Sequence, residues 1–418
     1  MKIVIVGGGV AGLEALLALH ALGAERFSLE LIAPDPDFTF RPMAVAEPFA
    51  LGGAHRVPLT TVAQETGAEL IQGTVVAIDD AAGRLELGDG ATRSYGALLL
   101  APGGHAVSGV EGATTWWPGG DPEVYGGLLR DIEEGYSKQL AMVVPPGAVW
   151  PLPVYELALM TAGEARAMGH DDVVVTIVTP ERAPLSLFGE EASTAVAEEL
   201  AAAGVMLRTG VVGRVVSGGV ALEPGGEQLS AQRVFAVPRI LGPGFAGLPA
   251  DDEGFIVADD SALVEGCERT WAAGDGVVSP VKFGGLATHQ ARRAVAAIAQ
   301  LAGVTGASDP GEPVLHGRLL IGAGRTRRLS GRGDAEGAPL WWPAGKVSGE
   351  FLPRWLTEHG LTPQDTEEPP EKGITIRRPL REMRGVEAQY LHDLARQFRS
   401  ADPALGALGR RMRETRER

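Results

Sequence analysis

The chain opens on the feature that most restricts its fold. Four apolar residues, Ile3-Val4-Ile5-Val6, run straight into Gly7-Gly8-Gly9-Val10-Ala11-Gly12. An alanine- and leucine-rich stretch follows and stops at Gly23. An unbroken apolar run suits a strand buried on both faces of a parallel sheet. The spacing of Gly7, Gly9 and Gly12 fits G-x-G-x-x-G, whose glycines permit a tight turn, close backbone approach to a pyrophosphate, and close packing of helix on strand. The first N–H groups of the helix then face the phosphates. A second strand over residues 27–32 completes a strand–helix–strand unit. This context makes the motif a dinucleotide-binding signature rather than a chance run of glycines. An acid normally follows the second strand to meet the ribose. Here the sequence runs Ala33-Pro34-Asp35, so Asp35 is the candidate, placed in the loop.

A chain of 418 residues, 45 % hydrophobic and 22 % charged, has room for two or three domains. The formal net charge is −16, unevenly spread: residues 1–315 carry −21 and residues 316–418 carry +5. The acidic body argues against nucleic acid as a partner. Cys267 is the only cysteine, so neither an internal disulfide nor a redox-active cysteine pair can form. No apolar run approaches the length of a membrane helix, and the apolar start reads as a strand rather than a signal peptide. The expected location is the cytoplasm, free or touching a membrane surface.

Further motifs follow in order. Residues 73–79 read as a strand leading through 84–87 and Gly88-Asp89-Gly90 into a β-meander. Next come Leu98-Leu99-Leu100-Ala101-Pro102-Gly103-Gly104 and, far downstream, Ala272-Ala273-Gly274-Asp275, with an alanine-rich helix over 287–301. This ordered set resembles the flavoproteins with two dinucleotide domains: pyridine nucleotide–disulfide reductases, type II NADH dehydrogenases and sulfide:quinone oxidoreductases. The resemblance spans about residues 1–300. Phe38-Thr39-Phe40-Arg41-Pro42 and Trp341-Trp342-Pro343 with Lys346 lean toward the sulfide:quinone branch. It departs at Pro102, where such sequences usually have threonine, and a local turn change is expected there.

The resemblance implies an α/β fold of tandem Rossmann-like domains plus a C-terminal interface domain. The FAD domain is discontinuous, over 1–110 and 250–305. A degenerate NAD(P)-binding-like domain occupies 111–249, and the interface domain 306–418. It implies FAD, held by Gly7, Gly9, Gly12, Asp35, Pro42, Val75, Ala101, Gly103, Gly104, Gly274 and Asp275. Asp275 would take the ribityl chain. Leu286 and Ala287 would stand at a helix N-terminus facing the flavin pyrimidine edge, where the helix dipole favours negative charge.

What the chain lacks narrows the chemistry. A second G-x-G-x-x-G followed by Val-Glu-Leu-Ala normally binds NAD(P)H in such proteins. Anchoring on Glu156-Leu157-Ala158 puts the three glycine positions on Val149, Pro151 and Val154. Side chains there crowd the turn, and Pro151 has no N–H to donate. Only Gly147 lies in the loop, so no register restores the pattern. NADH and NADPH are therefore expected to reduce the flavin slowly or not at all. Disulfide chemistry fails too, since Trp150-Pro151-Leu152-Pro153 stands where the sulfide branch carries a cysteine.

The catalytic candidates are Lys282, as a cation beside the flavin or a solvated loop lysine, and Glu156, as a buried acid or a leftover helix residue. His289 reads as a structural histidine, Cys267 as structural or surface, His170-Asp171-Asp172 as an exposed turn, and Trp150 and Tyr155 as cavity wall or core. No cluster has metal-ligand spacing. Apolar Val386, Tyr390, Leu391, Leu394 and Phe398 fit one helix face, followed by Arg410, Arg411, Arg413, Arg416 and Arg418. Such an end suits docking on the acidic body, a homodimer contact, or peripheral contact with an anionic membrane. Three classes of function stay open: an oxidoreductase passing electrons from a small-molecule donor to a quinone or similar acceptor, a flavin partner fed by another protein, and a flavoprotein keeping FAD for structure alone.

Overall fold

The computed structural model describes residues 1–51, 53–321, 346–347, 349–361 and, for the backbone alone, 374–379. The tryptophans at 341 and 342 and the arginine-rich end lie outside the described residues. Helices are α1 (Val10–Ala21), α2 (Leu59–Thr66), α3 (Glu123–Glu133), α4 (Leu152–Ala167), α5 (Glu190–Ala202), α6 (Gly284–Leu301) and α7 (Leu352–Glu358).

Two five-stranded parallel sheets organise the chain. The first runs Thr270–Ala272, Ala97–Leu100, Lys2–Val6, Ser28–Ala33, Glu69–Gln72. The second runs Thr114–Thr115, Arg233–Ala236, Gln139–Val143, Val174–Val178, Met206–Arg208. Each places its glycine-turn strand, or the counterpart of it, at the centre. Both central strands are buried from their second residue on, as a sheet covered on both faces demands. The first sheet collects residues from both ends of the N-terminal 300. Its last strand, Thr270–Ala272, pairs with Ala97–Leu100 across a long insertion, because a parallel neighbour needs a crossover rather than a hairpin.

Two chain crossings between the sheets, His105–Val107 and Arg239–Leu241, pair with each other antiparallel. The meander over Val75–Asp79, Arg84–Leu87 and Thr92–Ser94 forms as its alternation suggests. A separate hairpin, Asp37–Phe40 with His55–Pro58, follows the second strand. Beyond α6, Val314–Leu319 pairs with Ile374–Pro379. Leu315, Leu319 and Leu320 join the core of the second sheet with Leu152, Phe188 and Phe283. Trp355 and Leu356 of α7 join the core of the first. No described helix is long and apolar enough to cross a membrane.

Candidate functional site

The glycine turn is built as its spacing demands. Gly7 has φ +110°, and a Cβ there would drive into the Ala101 carbonyl. A Cβ on Gly12 would drive into the carbonyl of Gly7. Gly9, between them, is exposed and meets nothing within 4 Å. It is also the N-cap of α1, and no side chain caps the helix. The open space above Gly9 and the uncapped N–H groups suit an incoming phosphate.

The remaining motifs gather around this turn. Ala273 N donates to Leu100 O at 2.8 Å, bringing the two late-strand ends side by side. Gly104 lies against Ile240 and Leu241 of the crossing strand. Gly274 takes Gln290 Oε1 on its N–H at 2.8 Å, and a Cβ there would sit 3.2 Å from Ala11 and 3.7 Å from Ala287. So Gly7, Gly9, Gly12, Ala101, Gly103, Gly104, Gly274 and Asp275 share the carboxyl end of one sheet, the usual ligand face of an open α/β fold. Val75 is buried beside Val6 and Ile32, and Pro42 is half-buried. Asp35 is exposed beyond its strand. Helix α6 begins at Gly284, earlier than the sequence indicated. Leu286 and Ala287 N–H groups both donate to Phe283 O at 3.1 Å. Gly284 and Gly285, not Leu286 and Ala287, therefore carry the helix's leading N–H groups.

Asp275 is flanked by cations. Burial raises its carboxyl above the ordinary range, while Lys282 and Arg41 pull it back. Lys282 is only 5 % exposed, so it is no solvated loop lysine. Its Nζ donates to Val277 O and stands 3.9 Å from the Phe255 ring centroid. Burial pushes it down to about 8, against the pull of Asp275, Asp251 and Glu253.

The second glycine position is different. In the first sheet the glycines fall three before, one before and two after Val10, the start of α1. Counting the same way from Leu152, the start of α4, gives Val149, Pro151 and Val154. Helix starts thus reproduce the alignment independently of the Glu-Leu-Ala anchor. Pro151 and Pro153 remove two N–H groups from the first turn. The loop is occupied as well. Val149 O accepts from Lys282 N at 3.2 Å. Trp150 stacks on Phe283 with centroids 5.1 Å apart and meets Phe188 edge-on at 5.7 Å. Glu181, just past the second strand of this sheet, accepts on Oε2 from Tyr155 OH at 2.5 Å and Thr179 Oγ1 at 2.9 Å. Tyr155 is fully buried and belongs to the core.

Glu156 is buried and partnered. Its Oε1 accepts from Leu320 N at 2.9 Å and from Lys346 Nζ at 2.5 Å. Burial pushes Glu156 up and Lys346 down, and each charge counters the other's shift. Lys346, which the sequence offers only as part of a motif, is thus joined to a residue 190 positions away. Arg41, Glu181 and Glu14 were likewise missed. Glu14 was readable in principle, because it holds the same place in α1 as Glu156 in α4.

The other candidates are structural. His289 Nε2 lies 2.9 Å from Gly311 O. The Cys267 thiol is pushed up to about 11 by burial, far from a thiolate nucleophile. Asp172 pairs with Lys138 at the surface. Among the described residues, no group of three His, Cys, Asp or Glu is placed to hold a metal.

The family model for pyridine nucleotide-disulphide oxidoreductases matches residues 1–300. The chain belongs to this family. As a member it is an oxidoreductase, and its α/β architecture is the family's. It is 31 % identical over 297 residues to NADH dehydrogenase-like proteins of two Mycobacterium tuberculosis strains, covering 66 % of this chain and 72 % of theirs. Its fold is similar to the sulfide:quinone oxidoreductase of Aquifex aeolicus (TM-score 0.65, 19 % identity, 75 % of this chain and 79 % of that one). It is also similar to a ferredoxin reductase of Rhodopseudomonas palustris (TM-score 0.57, 22 % identity, 77 % and 80 %).

Proposed function

We propose that this family member binds FAD and passes electrons from a small-molecule donor other than NAD(P)H to a quinone or similar acceptor, without disulfide chemistry. The observation that carries the reading is the second nucleotide turn. It lacks glycine at all three positions, has prolines in place of two helix-terminal donors, and has its Trp150 packed on Phe283 and Phe188. The acid beyond its second strand is engaged by Tyr155 and Thr179 rather than turned to a ribose.

FAD fits the first turn, where Gly9 leaves room and the α1 N-terminus is uncapped. Gly7, Gly9 and Gly12 would hold its pyrophosphate, Asp275 its ribityl hydroxyls, and Ala101, Gly103, Gly104, Val75 and Pro42 the surrounding wall. Asp35 is assigned the adenosine ribose. Bound there, FAD supplies two-electron redox chemistry. The leading N–H groups of α6 and the buried Lys282 give the site a positive edge. A quinone that accepts two electrons also takes up two protons. The Glu156–Lys346 pair is suited to hold one of them, at Oε1 or at Nζ, away from water.

The rival reading is an NAD(P)H dehydrogenase, favoured by the name of the mycobacterial relatives. Stopped-flow mixing of FAD-loaded protein with millimolar NADH separates the two. The expected result is flavin reduction that is slow and does not saturate. Saturable reduction at about tens per second, an ordinary enzyme turnover, would overturn the proposal. Anaerobic mixing with other small-molecule donors, watching the flavin bleach, then identifies the class of donor.

A further inference from the structure

Glu14 and Glu156 are equivalent residues of the two nucleotide folds. Each lies four positions after the first residue of its helix, α1 or α4. Both are buried, and burial pushes both carboxyls up. Both also turn toward one short piece of the C-terminal region. Glu156 Oε1 takes Lys346 Nζ. Glu14 takes the backbone N–H groups that lead into α7: Oε1 accepts from Glu350 at 2.9 Å, Oε2 from Leu352 at 2.7 Å, and both from Phe351 at 3.2 Å.

Between these ends the segment crosses the start of α6. Val347 is buried against Gly284, where a Cβ would come within 2.8 Å of its Cγ2. A Cβ on Gly349 would lie 3.0 Å from Thr288 Cγ2. Lys346 itself sits at φ +64°, a backbone state that a non-glycine residue holds only where its surroundings fix it. Charged neighbours complete the clamp. Arg292 on α6 pairs with Glu350 at 2.5 Å and faces Glu14, while Arg318 faces Glu156.

We propose that Glu14 is a positioning residue: with Glu156 it clamps residues 346–347 and 349–352 across the N-terminal end of α6, and so fixes where Lys346 stands against Glu156. The two folds contribute the same helix position to the same task. One carboxylate holds the segment by side chain and the other by backbone. A carboxylate accepting several N–H groups makes charge-assisted bonds that neutral groups do not replace. The functional consequence rests on the assignment of Glu156 and Lys346 to proton handling, but the clamp does not.

The test compares the full-length wild type with Glu14→Gln and Glu14→Ala. Hydrogen exchange is read first, without added flavin. The amides of 350–352 are expected to exchange roughly tenfold faster in Glu14→Ala, and less so in Glu14→Gln, which keeps one acceptor oxygen. The decisive amide is Leu320, which Glu156 holds at the far end. It is expected to speed up as well, because release of one end shifts Lys346. In FAD-loaded protein, the pH at which the flavin midpoint potential changes slope is expected to move by about half a unit or more. Faster exchange at 350–352 with Leu320 and the potential profile unchanged would show two independent contacts and overturn the proposal. Should Glu14→Ala not fold, the same comparison in Glu14→Gln decides. Failure of the wild type to take up FAD would sink the functional reading and leave the exchange result standing.

Discussion

At the scale of single residues, Lys282 shows how burial makes a charge informative. Its ammonium is held at about 8 in the fold against an ordinary value of 10.5. Between those two values the unfolded chain binds the proton and the folded chain does not, so stability rises with pH across that window. Below about 8 both states carry the charge and the burial cost is present in full. Replacing Lys282 with Met removes this dependence. The expected outcome, from denaturant unfolding at several pH values, is that wild type gains stability on Lys282→Met as pH rises from 8 toward 10. A difference that stays flat would mean the ammonium is better solvated than its 5 % exposure implies. The burial was not legible from sequence, because Phe255, Asp251 and Asp275 converge on Lys282 only through the fold. The glycines were legible, since G-x-G-x-x-G is read from its own spacing and its flanking strand and helix, although the carbonyl that excludes a Cβ at Gly7 belongs to the distant Ala101. Glu156 fell between: its place on α4 was readable, its pairing with Lys346 was not.

At the scale of elements, strands and helices with a strong local period appeared close to where the sequence put them. Helix α1 stops just before Gly23, and the meander closes around Gly90 at φ +84°. Elements that depend on remote pairing were not foreseen, above all the crossing strands and the hairpin after the second strand. Helix α7 is of the same kind. It is seven residues long, too short to persist alone, and it is fastened to α2 through Glu65. That carboxylate accepts from Trp355 Nε1 at 2.6 Å and pairs with His359 Nε2 at 2.9 Å, while the His359 ring stacks on Trp355. The Glu65 partnership raises the His359 imidazole above its usual range. A raised value means this contribution is full below the ordinary histidine value and lost as pH climbs through the raised one. Both groups are largely exposed, so the effect is small and salt-sensitive. Amide protection within α7, followed by hydrogen exchange after correction for intrinsic rates, is expected to fall as pH rises above the ordinary histidine value of 6.5. In His359→Gln that trend should vanish. A wild-type trend that survives the substitution would assign it to another group.

At the scale of the whole molecule, the described residues carry two parallel sheets of similar design, and on the proposed reading only the first receives a dinucleotide. The second keeps the order of four of its strands, its central position for the lead strand and its buried core, though its edge strand Thr114–Thr115 precedes the lead strand where Thr270–Ala272 follows it, so absence of the glycines has not cost the fold. A well-packed parallel sheet stabilises the protein whether or not a ligand sits at its carboxyl edge. This asymmetry yields a measurement that needs no turnover. A ligand that binds the folded state alone stabilises it by RT ln(1 + [L]/Kd), about 2.7 kcal/mol at a hundred times Kd. FAD added to flavin-free protein should therefore raise the thermal midpoint by several degrees. ADP-ribose probes the second turn directly, because it presents the pyrophosphate and adenosine ribose of NADH without the nicotinamide. At millimolar concentration, with the first site already filled by FAD, it is expected to leave the midpoint where it was. A rise comparable to that given by FAD would mean that Val149, Pro151 and Val154 admit a pyrophosphate after all, and that the chain shares nucleotide use with the relatives named for NADH.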